Sequence, residues 1–150
     1  MFNTILLALD GSEAAERAIP LAEELARHDG GRIVVGHVRE LMTGRAGGLT
    51  VNADEDELEV TIRDTATKLA ESGIPTSVEV ATSAMGGPAH ALAEIAVREH
   101  ADVIVTGTRG HSPVAGLLLG SVTQRLLHVA PCPVLVMPAV AKTADATVSR

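Results

Sequence analysis

The chain of 150 residues has no tryptophan, no tyrosine and one phenylalanine, Phe2. Its core must therefore be built from Leu, Ile, Val and Ala. It has no aromatic platforms on which the bases of a single strand could stack. Cysteine occurs once, at Cys132, so no intrachain disulfide can form, as suits a reducing compartment. Basic residues are in deficit, 12 Lys and Arg against 19 Asp and Glu, for a formal net charge of -7. A field of that sign repels phosphate backbones and anionic lipid, so neither nucleic acid nor a membrane surface is an expected partner. A small phosphorylated ligand remains compatible, because backbone N–H groups can hold it locally. No apolar run approaches the roughly 20 residues that cross a bilayer. Residues 1–9 lack a basic n-region and their apolar run stops at Asp10. No secretory leader is expected, and the expected location is the cytoplasm.

Several catalytic signatures are missing as well. There is no GxxxxGK[ST], hence no P-loop lysine, and the turn Asp10-Gly11-Ser12-Glu13 lacks the GxGxxG of a dehydrogenase. Six histidines (28, 37, 90, 100, 111 and 128) are scattered without HExxH or other metal spacing. Cys132 stands between two prolines with no cationic neighbour in sequence, which reads as an inert buried thiol rather than a nucleophile.

What is present is an alternation of apolar runs and helical periods. With 46% hydrophobic and 21% charged residues the chain is globular. Its length fits one domain, expected over residues 1–138, with 139–150 a flexible polar tail. Apolar runs at 4–9, 32–38, 101–106 and 133–137 predict strands, those at 4–9 and 101–106 buried on both faces. Residues 76–81 alternate and predict an edge strand. Between them, a helix follows the N-cap candidate Ser12, with Ala14, Ala18, Leu21, Ala22 and Leu25 on one face and a kink expected at Pro20. A second helix starts near Glu55 with Leu58, Ile62, Thr65, Ala66 and Leu69 on one face. A third covers 88–100, and a short one covers 121–129. Residues 39–53, with Gly44, Gly47 and Gly48 and no period, read as a flexible loop. The acidic run 54–57 reads as a helix's first turn rather than a metal site. Strands separated by helices predict a three-layer α/β/α sandwich, Rossmann-like, with a five-stranded parallel sheet in the order 3-2-1-4-5. The order reverses between strands 1 and 4, where ligands bind outside the carboxyl ends, and where Asp10 and Gly107 are expected.

The segment 107–121, GTRGHSPVAGLLLGS, runs from the end of the fourth strand to the start of a helix. Its glycines permit two readings: a tight turn with a cap, or a cradle in which backbone and helix N-terminus approach a phosphate. Arg109 and His111 are equally open, as charge balance for a ligand or as solvated surface, and Arg125 reads as surface. Asp10 could stabilise its own turn or face the switch point.

The spacing of Gly107, Gly110 and Gly120-Ser121 resembles the nucleotide-binding signature of the universal stress protein family, in its ATP-binding branch. The opening Ile5-Leu6-Leu7-Ala8-Leu9-Asp10-Gly11-Ser12-Glu13 and the ending Pro131-Cys132-Pro133-Val134-Leu135-Val136 are similar to that family too. The resemblance implies the same five-stranded sheet, commonly dimeric, with ATP or another adenine nucleotide in the cleft, alone or with Mg2+. By position it implies Asp10 at the ribose or adenine, the Val38 backbone at the adenine edge and Thr106 in the wall. It further implies Gly107 and Gly110 along the ribose and phosphates, and Gly120, Ser121 and Val122 gripping the phosphates. Residues 39–53 are the main departure, having no fixed pattern in the family.

The last strand is apolar yet falls at a sheet edge, an aggregation liability unless covered. Pairing with its own copy about a two-fold axis predicts a homodimer through Val134, Leu135 and Val136. The leading expectation is thus a nucleotide-binding stress-response or signalling module, not a dedicated enzyme, serving a protein partner the sequence does not identify. The alternatives are a slow ATPase or nucleotidyl-transferase, with Arg109 and His111 as its only candidate groups, and an interaction protein with an empty cleft.

Overall fold

The computed structural model describes residues 1–43, 46–51, 54–83, 86–108 and 119–138. The arginine and histidine at 109 and 111, the glycine at 110 and the expected tail lie outside these residues. Five parallel strands make the sheet: β1 (Thr4–Ala8), β2 (Arg32–Arg39), β5 (Thr76–Thr82), β6 (Val103–Gly107) and β7 (Val134–Met137). They stand in the order β5-β2-β1-β6-β7, which is the expected order once the strands of a small hairpin are also numbered. Leu6 at the centre of β1 lies opposite Val34 of β2 and Ile104 of β6. All five residues of β1 and of β6 are buried, as strands covered on both faces require. The edge strand β5 is mostly half-buried.

Side-chain parity sorts the core into two layers. Ile5, Leu7, Ile33, Val35, Val103 and Val105 pack under α1 (Glu13–Asp29) and α2 (Glu55–Glu71). Leu6, Ala8, Val34 and Ile104 pack under α3 (Gly87–Arg98) and α4 (Ser121–Val129).

Helix α1 begins where the Ser12 hydroxyl oxygen accepts the Ala15 N–H at 3.2 Å, and it ends at Gly30 in the left-handed conformation. Its buried stripe is alanine (14, 15, 18, 22 and 26), with Leu21 and Leu25 only half-buried. Both leucines of the expected face still pack against the core, while the alanines let this helix approach the sheet closely. Pro20 lies on the exposed side, and the helix runs unbroken through it.

The second correction concerns residues 39–53. Instead of an unstructured loop, the chain forms an antiparallel hairpin of β3 (Leu41–Thr43) and β4 (Leu49–Val51), with Met42 opposite Thr50. Its strands are three residues long and largely exposed, so no buried face wrote an alternation into the sequence. The acidic run after the hairpin is the first turn of α2, as expected. No described helix is long and apolar enough to cross a membrane.

Candidate functional site

At the carboxyl ends of β1, β2 and β6 the sheet opens into a cavity of about 440 Å³. That is the size range of a small-molecule site. It lies at the switch point, because β1 sends the chain one way to β2 and is joined on its other side by β6. Asp10, Val38, Thr106, Gly107 and Val122 all line it, so five of the eight residues singled out for the nucleotide meet around one space. Gly120 is the N-cap of α4 and Ser121 its first residue; both adjoin Val122 at the mouth without belonging to the lining.

Each wall has a local cause. Asp10 ends the β1 run, and one of its carboxylate oxygens accepts the Ser12 N–H at 2.9 Å, fixing the turn into α1. Gly11 completes that turn at φ +79°, and a Cβ there would lie 2.6 Å from a methyl of Leu58. Asp10 therefore serves its turn and also faces the cavity. In β2, even-numbered residues direct their peptide groups toward β1: Arg32 N–H donates to Asn3 O and Gly36 O accepts from Leu9 N–H. Pairing with β1 stops at Gly36. Val38 continues the even series past the end of β1, so its N–H and C=O point into the opening.

Gly107 ends β6 under the first turn of α1. A Cβ at this position would stand 2.4 Å from the Ala14 carbonyl carbon and 2.5 Å from the Ala15 nitrogen. Helix packing alone thus demands glycine here. The Gly107 carbonyl accepts from the buried Thr123 hydroxyl at 3.3 Å, which ties α4 to the strand end.

Sequence reasoning missed the most buried polar group of the site. His37, 3% exposed, donates Nδ1–H to the Leu9 carbonyl at 2.8 Å. Its Nε2 faces the Glu55 carboxyl, the first residue of α2. Position 37 shares the parity of the buried Ile33 and Val35, so the inward direction of this histidine was readable from the strand. Its partner, 18 residues away, was not.

The electrostatics of the cavity are one-sided. Asp10, Glu40, Asp54 and Glu55 line it, and no described Lys or Arg does. Among the described residues no group of three or more His, Cys, Asp or Glu could hold a metal ion. On β2, one residue beyond Val38, Arg39 pairs with Glu59 and with Asp56 at 3.1 Å on α2. The Arg63 and Arg39 guanidinium groups hold the Glu59 carboxyl below the usual carboxylate range.

A doubly wound parallel sheet with its crevice at the reversal of strand order defines an α/β domain of the Rossmann-like, ligand-binding class. More narrowly, the model of the universal stress protein family matches residues 1–138, and the chain belongs to that family. It is 41% identical over 138 residues to a universal stress protein of Thermus aquaticus, covering 91% of this chain and 99% of the relative. A universal stress protein structure from Archaeoglobus fulgidus superposes with a TM-score of 0.72 at 26% identity, over 91% of this chain and 99% of that one. Two further structures share the fold with TM-scores of 0.65. One is a universal stress protein in complex with cAMP, 23% identical over 93% of this chain and 98% of that one. The other is the Archaeoglobus fulgidus protein in complex with dAMP, 22% identical over 91% of this chain and 98% of that one.

Proposed function

We propose that this chain binds an adenine nucleotide in the switch-point cavity and acts in a stress response as a binding module, in the cytoplasm, rather than as a dedicated catalyst. The observation that carries the reading is the meeting of Asp10, Val38, Thr106, Gly107 and Val122 around one cavity at the strand ends. The relatives in complex with cAMP and dAMP support the ligand class.

In this reading the Val38 peptide groups take the adenine edge, and Asp10 takes the ribose or the base. Thr106 forms the wall and Gly107 and Gly110 run beside the ribose. Gly120, Ser121 and Val122 receive the phosphates at the start of α4, where the positive end of the helix dipole favours an anion. Arg109 and His111 offset phosphate charge. Hydrolysis needs a base and a cation; the described lining supplies carboxylates but no Lys or Arg.

Two copies join through the outer edge of β7, where Leu135 is 37% exposed between half-buried Val134 and Val136. Main-chain pairing across a two-fold axis covers that edge. The test is calorimetry with ATP, ADP, AMP and cAMP on protein freed of carried-over ligand, joined to mass spectrometry of small molecules released on denaturation. Saturable heat for at least one adenine nucleotide is expected. No heat for any of the four would refute the reading.

A further inference from the structure

The buried His37–Glu55 pair is used by nothing described so far, yet it touches three walls of the cavity. Nδ1 can only donate to the Leu9 carbonyl, so the proton on that nitrogen is fixed. On the other side, Nε2 and the Glu55 carboxyl share a hydrogen bond. The pair thereby links the end of β1, the body of β2 and the first turn of α2. Leu9, His37 and Glu55 all line the cavity, as Val38 does.

Only one other polar tie among the described residues joins this part of α2 to β2, that of Arg39 with Glu59 and Asp56. The Asp56 side chain is 86% exposed and the Arg39–Glu59 pair 26% and 17%, against 3% for His37 and 11% for Glu55. An exposed pair such as Arg39–Asp56 holds little, whereas a buried one holds its partners in register.

Resting on the nucleotide reading above, we infer that His37 and Glu55 are positioning residues of the base end of the cavity. Their hydrogen bond clamps the start of α2, and the hairpin that leads into it, at the spacing the ligand needs. Without the clamp, the binding-competent arrangement is one state among several. Observed affinity then falls by the fraction of molecules that occupy it, so a competent fraction of a tenth weakens binding about tenfold.

The experiment uses AMP as probe and three variants of the full chain. Glu55→Ala removes the clamp and is expected to raise the AMP dissociation constant about tenfold. Glu55→Gln keeps it, since the carboxamide N–H donates to Nε2 while Nδ1–H stays on Leu9, and is expected to bind within about twofold of the native chain. Asp56→Ala, which removes the exposed Arg39–Asp56 pair and leaves Arg39–Glu59 in place, is expected to change nothing. His37→Asn removes the reach to Glu55 and carries the same expectation as Glu55→Ala, should that variant not fold. Nitrogen-15 NMR of the His37 ring should report a proton on Nδ1 in the native chain and in Glu55→Gln.

Native-level AMP binding by a folded Glu55→Ala or His37→Asn would overturn the inference while leaving the nucleotide reading intact. So would a Glu55→Gln variant as weak as Glu55→Ala. A native chain that binds no adenine nucleotide would overturn both.

Discussion

Replacing Gly107 by alanine adds one methyl group where the backbone of α1 already stands. The new carbon would lie 2.4, 2.5 and 2.6 Å from the Ala14 carbonyl carbon, the Ala15 nitrogen and the Ala14 oxygen. Ordinary carbon contacts are at least about 3.5 Å, so helix and strand end must part by on the order of 1 Å. Main-chain atoms cannot rotate aside as a side chain does. Overpacking costs about 1–3 kcal/mol, and this site falls near 3. With a urea slope of about 2 kcal/mol per molar, the unfolding midpoint drops by roughly 1.5 M. AMP affinity should fall too, because the turn displaced with α1 carries Asp10.

Two other glycines grade the reasoning. At Gly36 a Cβ meets a methyl of Leu6 at 2.8 Å, the movable end of a side chain, so Gly36→Ala should cost about 1 kcal/mol. Around Gly48 nothing lies within 4 Å, so Gly48→Ala should stay within about 0.5 kcal/mol of the native chain. Urea denaturation followed by far-ultraviolet circular dichroism reads all three. A Gly107→Ala midpoint equal to that of Gly48→Ala would show that steric packing is not what requires the glycine.

In the proposed dimer Leu135→Lys places a charge at the seam, so sedimentation at micromolar concentration should find the native chain as dimer and the variant as monomer. Asp29 is held well below the usual carboxylate range by the Phe2 N–H at 2.7 Å, by His28 and by the N-terminal ammonium. A carboxyl lowered on folding stabilises above its unfolded value near pH 4 and loses that effect as pH falls through its folded value. The stability gap between the native chain and Asp29→Asn, read by denaturant melts, should therefore be full at neutral pH and shrink steadily below about pH 4. Burial, aided by the Asp102 charge, pushes the Cys132 thiol up. At pH 7.5 its alkylation by iodoacetamide should be slower than that of a free cysteine, and urea should abolish the difference.

The legible parts of this fold were those whose burial is continuous. β1 and β6 are almost wholly apolar because helices cover both faces, and β5 alternates because it stands at an edge, so strand order followed from these patterns together with the crossover rule. The hairpin left no such trace: Leu49, Thr50 and Val51 are all exposed, so Gly47 and Gly48 looked like a formless loop. Glycine was also ambiguous at position 107, where a phosphate cradle and a close helix ask for the same residue. Asp10 and Gly107 could be assigned to one place because topology alone brings them there. The pairing of His37 with Glu55 could not, since it depends on where α2 starts after the hairpin.

β1 finds its first neighbour, β2, within some thirty residues, but its second only about a hundred residues later. There Asp102 accepts the N–H groups of Asn3 and Thr4 at 2.8 and 2.9 Å, closing the middle of the sheet. A chain still emerging from the ribosome can therefore complete β2 and both helices of one layer while lacking the far side of the crevice. Anything that binds the crevice can thus stabilise only the finished domain.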